Sequence, residues 1–472
     1  MKAQAAVLPV PLRYAVAPAT LPRTLALLVV TVFANALAAG FLFDDWADVV
    51  GNPAATAATF LDRLPETVRP LLKASYAVQD WLHGSWPAGF HAVNIALHAG
   101  AALLVFLLVA RAARLSGMDG ARVVSFACMV AALWAVHPAL TETVTYVSGR
   151  SAGLSGLLML AALALATGPA SRAAVLGAGS CAALAPLARE TALVLPVLLV
   201  LWQATLASTE PLPLAVRRLA PVLIGAGIGA LVLIAMPAHR ALVDFSLQAR
   251  PPLDALRGNV HAIADILWLW LAPWQVSIDP AQPLAWGWLE TPTLVRLAGL
   301  AGVAALAWSL RRRAPLAAFA VGWTLLCLVP TNSVIWRVDP VALKPIYLAS
   351  LGPALLFELL LVRIDRVWRR SGAAIGLAVI IAWSALTMQR NALFADPVAL
   401  WQQAVDVAPE RGRPRVGLGY AWLDAGNLAE AERALNEGLA REPWSIAARR
   451  GLELLAGRRV FDAPAATERD GG

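Results

Sequence analysis

The chain has 472 residues, of which 59% are hydrophobic and 14% charged, with a mean hydropathy of +0.66. Soluble globular proteins carry about 25% charged residues, so the composition excludes a soluble domain and points to a polytopic membrane protein. The net charge of +8 sits largely in short arginine clusters between apolar runs, which is a pattern of membrane topology and excludes nucleic acid as a partner.

The first 23 residues lack the basic, apolar and cleavage-site order of a signal peptide, so 1–23 is expected to be a cytoplasmic N-terminus and the first apolar run to be kept as a span. Runs of crossing length then follow near 24–42, 91–110, 123–136, 152–168, 173–188 and 192–207. Five more lie near 219–237, 294–310, 314–330, 346–362 and 372–388, giving about 11 spans. The clusters at Arg111 to Arg122, Arg217–Arg218, Arg311 to Arg313 and Arg363 to Arg370 all fall on one side if the N-terminus is cytoplasmic. The stretch 257–273 is expected to be re-entrant or interfacial, because a further crossing would move two of those clusters outward. Cys128, Cys181 and Cys327 are isolated in apolar runs and are expected to be free thiols.

The polar residues that do not suit lipid gather on the outer side. The loop 43–90 opens with Asp44 and Asp45 and carries Arg69 before a semi-polar helix; a second long outer loop covers 239–293. His91, Asn94 and His98 stand at i, i+3 and i+7 on one helix face, a spacing equally suited to hydrogen bonds between helices and less suited to a metal. In VHPALTETVTYVSGR, His137, Glu142, Tyr146 and Arg150 recur at four or five residues, which predicts a helical loop with one polar face. Arg189 with Glu190, and Arg337 with Asp339, Lys344 and Tyr347, complete the set. A boundary carboxylate is suited to deprotonating an acceptor hydroxyl, and cations are suited to a phosphate leaving group. The chemistry that combines them is glycosyl transfer from a lipid-phosphate donor.

After about residue 390 the sequence becomes charged and helical, and Pro409 and Pro443 lie one tetratricopeptide period apart. This divides the chain into a transmembrane domain over 24–390, a tetratricopeptide-repeat-like helical domain over 391–460 and a disordered tail over 461–472. Two such repeats bury little core, so the second domain is expected to pack on the membrane domain or a partner.

The stretches FDDWADVVGN, RPLLKASYAVQDW, GFHAVNIALHA, HPALTETVTYVSGR, ARETALVLP and PTNSV with IYLASLG, followed by the tail repeat, resemble the transmembrane and tetratricopeptide-repeat proteins. That family is a branch of the C-type membrane glycosyltransferases, related to protein O-mannosyltransferases. The resemblance implies an all-α helical bundle and a polyprenyl-phosphate sugar donor, such as the mannose derivative. It further implies a Ser or Thr hydroxyl of a periplasmic or envelope protein as acceptor. It places the catalytic base on Asp44 or Asp45. Donor phosphate or sugar binding is then assigned to Arg69, His91, Asn94, His137, Glu142, Arg150, Arg189, Glu190, Lys344 and Tyr347. The chain departs from the family at Leu140, where a histidine is common, and at Leu343, Lys344 and Pro345, where Glu, His and Arg are common. No cofactor is certain from the sequence, and a divalent metal beside the aspartates stays open. High alanine and arginine content suggests a bacterial inner membrane, with the C-terminal helices on the periplasmic side. Transfer to a lipid or envelope glycan, a scaffold and a transporter are the alternative readings.

Overall fold

The computed structural model of the chain describes residues 20–249, 251–282, 287–332, 339–368 and 370–462. Most of the expected N-terminal segment, residues 463–472 of the expected tail and Arg337 lie outside them, while 461 and 462, expected to be disordered, end the helix Ile446–Asp462. The described residues form helices and no strand, as the composition requires of a bundle in lipid, where a helix satisfies its own backbone. Six helices are long and apolar enough to cross a bilayer: Pro87–Leu115, Val147–Ala166, Leu212–Ala235, Thr291–Leu310, Ile346–Val367 and Ser371–Leu393. The pair Gly120–Ala135 and Pro138–Val144, bent by 56°, could form a seventh, and Arg23–Ala38, Arg172–Ala188, Glu190–Thr205 and Pro315–Leu328 are shorter apolar helices. The chain is thus a multi-pass membrane protein; eleven crossings would need the bent pair and all four short helices to span. The helix Pro252–Leu271, which holds most of 257–273, carries Asp254, Arg257 and Asp265 and is not among the candidate spans.

Local sequence sets the helix limits. Proline stands at the first turn of Pro70–His83, Pro87–Leu115, Pro252–Leu271, Pro315–Leu328 and Pro397–Val407, where its missing N–H has no intrahelical partner to lose. Ser171, Asp396 and Asn427 cap the helices that follow them, each accepting a backbone N–H three residues on at 3.0, 3.1 and 3.2 Å. Packing inside the bundle relies on small side chains. Arg172–Ala188 and Leu212–Ala235 approach so closely that a Cβ on Gly225 would strike the carbonyl of Gly179, the kind of contact that holds helices together in lipid.

One main core of alanine, leucine and tryptophan runs through the bundle, with Trp134 and Trp323 completely enclosed. At one end the chain between the short helix Arg23–Ala38 and the long helix Pro87–Leu115 is built from short turns (Trp46–Val50, Pro53–Ala55) and the helix Pro70–His83, so this connection is structured throughout. The helices Pro397–Val407, Arg413–Asp424, Leu428–Arg441 and Ile446–Asp462 pack side by side and share their own apolar clusters. They sit on the same end of the bundle as Asp44, since Trp401 meets the ring of Phe43 edge-on at 5.4 Å.

Candidate active site

The two adjacent aspartates have different surroundings. Asp45 is buried and fully bonded: Oδ1 accepts the N–H and the hydroxyl of Ser148 at 2.7 and 2.6 Å, and Oδ2 accepts the N–H of Leu42 at 3.1 Å. Burial pushes its carboxyl up to about 6 in spite of these donors. Asp44 is half-buried, and its backbone N–H donates to Tyr146 Oη at 2.8 Å. Burial raises its carboxyl above the ordinary value, and the charge of Lys344 is the strongest opposing influence. Phe43, just before it, has φ of 44°, in the left-handed region that a bulky residue adopts only under constraint.

Lys344 lies 5.0 Å from the ring centroid of Tyr146 and has no hydrogen-bonding or ion-pair partner among the described residues. Burial lowers its pKa, while Glu142 and Asp44 act to raise it. Glu142 is itself buried, and its Oε2 has no hydrogen-bond partner among the described residues. Lys344 also borders a groove shared with Arg189, Thr191 and Thr331, whose wall continues as Met159, Val194, Cys327 and Leu348. The lining of the groove therefore includes two cations together with apolar side chains. Arg189 is buried and donates to Ser151 Oγ at 3.1 Å. Among the described residues no three His, Cys, Asp or Glu side chains lie together as a metal site.

The remaining expected site residues are held in internal contacts. Arg69 forms a two-pronged ion pair with Glu190, Nε and Nη2 lying 3.0 and 2.9 Å from the carboxylate. Asn94 accepts Arg150 Nε at 2.7 Å and donates to the carbonyl of Tyr146 at 3.3 Å. Arg150 also donates to the carbonyl of Phe90 at 3.0 Å and stacks over Tyr76, 4.6 Å from its centroid. His91 donates to the carbonyl of Ala39 at 3.1 Å. His137 donates to the carbonyl of Trp270 at 3.1 Å and lies parallel to its ring, while its other nitrogen accepts the N–H of Ala139 at 3.2 Å. Tyr347 donates to His98 Nδ1 at 3.0 Å, and its ring borders the groove. Thus His91, Asn94 and His98 share one buried face as their spacing predicts, and each serves helix-to-helix hydrogen bonding.

The segment 137–150 differs from the expected helical loop. It breaks into a turn at Pro138–Leu140, a short helix Thr141–Val144 and a turn Val147–Gly149. Gly149 folds back so that any Cβ would strike the carbonyl of Glu142. Three of the four polar side chains consequently bond three different neighbours, His137 the carbonyl of Trp270, Tyr146 the N–H of Asp44 and Arg150 the amide of Asn94, while Glu142 is buried nearby.

Sequence reading passed over Arg390, Arg411, Arg413 and Asp279. Arg390 is buried at the end of Ser371–Leu393, donates to Thr141 Oγ1 at 3.2 Å and bonds the carbonyl of Val276. Arg413 reaches both Asp279 and Asp339, its Nη1 lying 2.6 Å from the latter. No local pattern marks them, because their partners lie far away in the chain.

Known proteins supply an independent comparison. The chain is 24% identical over 440 residues to Protein O-mannosyl-transferase Tmtc3 of Drosophila melanogaster, a match covering 78% of this chain and 47% of that protein. It is 34% identical over 135 residues to Protein O-mannosyl-transferase Tmtc1 of the same organism, covering 25% of this chain and 15% of that one. With human Protein O-mannosyl-transferase TMTC4 it shares 31% identity over 152 residues, 28% and 20% of the respective lengths. The chain therefore spans less than half the length of the curated relatives it matches. No family model matches it, and no solved structure does. The chain is thus similar, at low identity, to proteins named as protein O-mannosyl-transferases, and the likeness to one of them extends over 78% of this chain.

Proposed function

We propose that the protein is a membrane glycosyltransferase that moves a hexose, mannose by analogy with its relatives, from a polyprenyl phosphate to a Ser or Thr hydroxyl of a protein. The observation that carries this reading is the half-buried Asp44, whose carboxyl feels the charge of Lys344 most strongly among its opposing influences, together with the place of Lys344 beside Arg189 in a groove that also has apolar lining. Asp44 takes the proton of the acceptor hydroxyl as its oxygen attacks the anomeric carbon. The bond from that carbon to the phosphate oxygen breaks, and the polyprenyl phosphate leaves with the electron pair. Lys344 and Arg189 hold the charge that develops on the phosphate, and the prenyl chain lies along Met159, Val194 and Leu348 toward lipid.

Asp45 serves this site indirectly. Its bonds to Leu42 and Ser148 tie the turn 42–45 to the segment that carries Tyr146, and Tyr146 in turn holds Asp44. The donor-binding set narrows to Arg189 and Lys344, with Glu142 setting the charge around Lys344 and Arg69, Glu190, His91, Asn94, His137, Arg150 and Tyr347 supporting the fold. The site faces the periplasm of a bacterial inner membrane, as the arginine distribution suggests.

Mass spectrometry of envelope proteins from cells with the wild-type gene, Asp44→Asn or no gene tests this reading. Hexose on Ser or Thr that disappears in both altered strains, at unchanged protein level, supports it. Hexose lost from a lipid or envelope glycan instead would move the acceptor, and an unchanged glycan profile in the null strain would refute the activity.

A further inference from the structure

The C-terminal helices touch both sides of the candidate site. On one side Trp401, buried in Pro397–Val407, packs edge-on against Phe43 at 5.4 Å. Phe43 immediately precedes Asp44, and its φ of 44° needs an external contact to be maintained. On the other side Arg413 binds Asp279 through Nε at 2.8 Å and Asp339 through Nη1 at 2.6 Å. Arg411 shares Asp279 and donates to the carbonyl of Pro280 at 3.1 Å. From there a short relay reaches Lys344. Gln282 accepts the N–H of Val341 and donates to its carbonyl, both at 3.0 Å, and Lys344 is three residues further on. Asp279 is buried, and its carboxylate is shared by two guanidinium groups, which suits a fixed joint better than a passing surface contact.

From these contacts we infer that the C-terminal helices brace the active site, with Trp401 and Arg413 acting as positioning residues that fix Asp44 and Lys344 relative to each other. The inference rests on the proposed transferase reading for its kinetic test and stands apart from it for its structural one. Helices serving only to capture a protein acceptor would lie beside the site without touching the residues that flank its base and its cation. Here one helix contacts the residue before the base, and the next one anchors the segment that leads to the cation.

The test uses the purified full chain in lipid nanodiscs, synthetic polyprenyl-phosphate mannose and a Ser/Thr peptide of about ten residues, too short to engage an extended repeat surface. Trp401→Ala and Arg413→Ala are each expected to lower kcat about tenfold or more with the peptide KM within about twofold, because misplacing reacting groups slows the chemical step. Trp401→Phe, which keeps an aromatic edge, is expected to restore most of the rate. Unchanged kcat with a raised KM would identify a capture role and overturn the brace. Hydrogen–deuterium exchange supplies the second readout, which needs no activity. The alanine variants are expected to exchange faster over 41–48 and 339–346 with the membrane helices unchanged; equal exchange in wild type and variants would overturn the brace. A wild-type chain that transfers no sugar, yet shows this exchange pattern, would refute the transferase reading and leave the brace supported.

Discussion

The hydroxyl of Tyr146 accepts the backbone N–H of Asp44 at 2.8 Å, joining residues 102 apart in sequence. Lys344 lies over the same tyrosine ring, 5.0 Å from its centroid. One side chain thus holds the backbone of Asp44 and borders Lys344. Tyr146→Phe removes the hydrogen bond to the Asp44 N–H without changing the ring. It is expected to slow sugar transfer about tenfold, equivalent to about 1.4 kcal/mol, with donor KM little changed, as steady-state kinetics would record.

The pH profile follows from two groups moved in opposite directions. Asp44 must be ionised to act as a base, and burial raises its carboxyl, so the acidic limb is expected at higher pH than for an ordinary aspartate. Lys344 must be charged to hold a phosphate, and burial lowers its pKa, so the alkaline limb is expected at lower pH than for an ordinary lysine. Lys344→Arg keeps the charge at high pH and is expected to move the alkaline limb upward while leaving the acidic one in place. Rate measurements across pH on both proteins check this.

Asp45 makes stability depend on pH in a definite sense. Its carboxyl is raised from 3.8 to about 6 in the folded chain, so between those values the folded state binds more protons than the unfolded one. The stability this group contributes is therefore full below the unfolded value and falls as pH rises through about 6, by up to about 1.4 kcal/mol per pH unit. Ser148→Ala removes the hydroxyl donor at 2.6 Å and is expected to destabilise by about 1–2 kcal/mol and to extend the decline to higher pH. Thermal melts between pH 4 and pH 8 would measure both effects.

Arg69 is committed to Glu190 and not to the groove. Arg69→Ala and Glu190→Gln are expected to show a coupling of about 1–3 kcal/mol in a double-mutant cycle of unfolding, since a two-pronged guanidinium–carboxylate pair is among the stronger polar contacts. Donor KM is expected to stay within about threefold in Arg69→Ala and to rise at least tenfold in Lys344→Ala.

Gly149 carries a steric requirement. Its missing Cβ position is taken by backbone atoms of Glu142 and Thr143, which cannot rotate away. Gly149→Ala is expected to destabilise by at least about 2 kcal/mol and to reduce the yield of folded protein in size-exclusion profiles.

The helices were legible in the sequence because apolar length and helical period are local properties. The i, i+3, i+7 spacing of His91, Asn94 and His98 put them on one face, and all three are buried there. The difference in surroundings between Asp44 and Asp45 was not legible. It depends on Ser148 and Tyr146, which reach the pair only after the turns at Pro138 and Gly149 fold the intervening segment back. The four-or-five spacing in 137–150 suggested a polar helix face for the same reason: periodicity cannot register where a proline and a close glycine contact interrupt it. No local pattern marks Arg390 and Arg413, because their partners Thr141 and Asp279 lie 249 and 134 residues away.

The most direct measurement is transfer of mannose from synthetic polyprenyl-phosphate mannose to a Ser/Thr peptide by the purified protein, compared across wild type, Asp44→Asn and Asp45→Asn. The account expects Asp44→Asn to lose about a hundredfold or more, the loss typical of a missing general base, while Asp45→Asn folds less stably but retains measurable transfer. Wild-type rates from Asp44→Asn, or loss confined to Asp45→Asn, would contradict the assignment of Asp44 as the base.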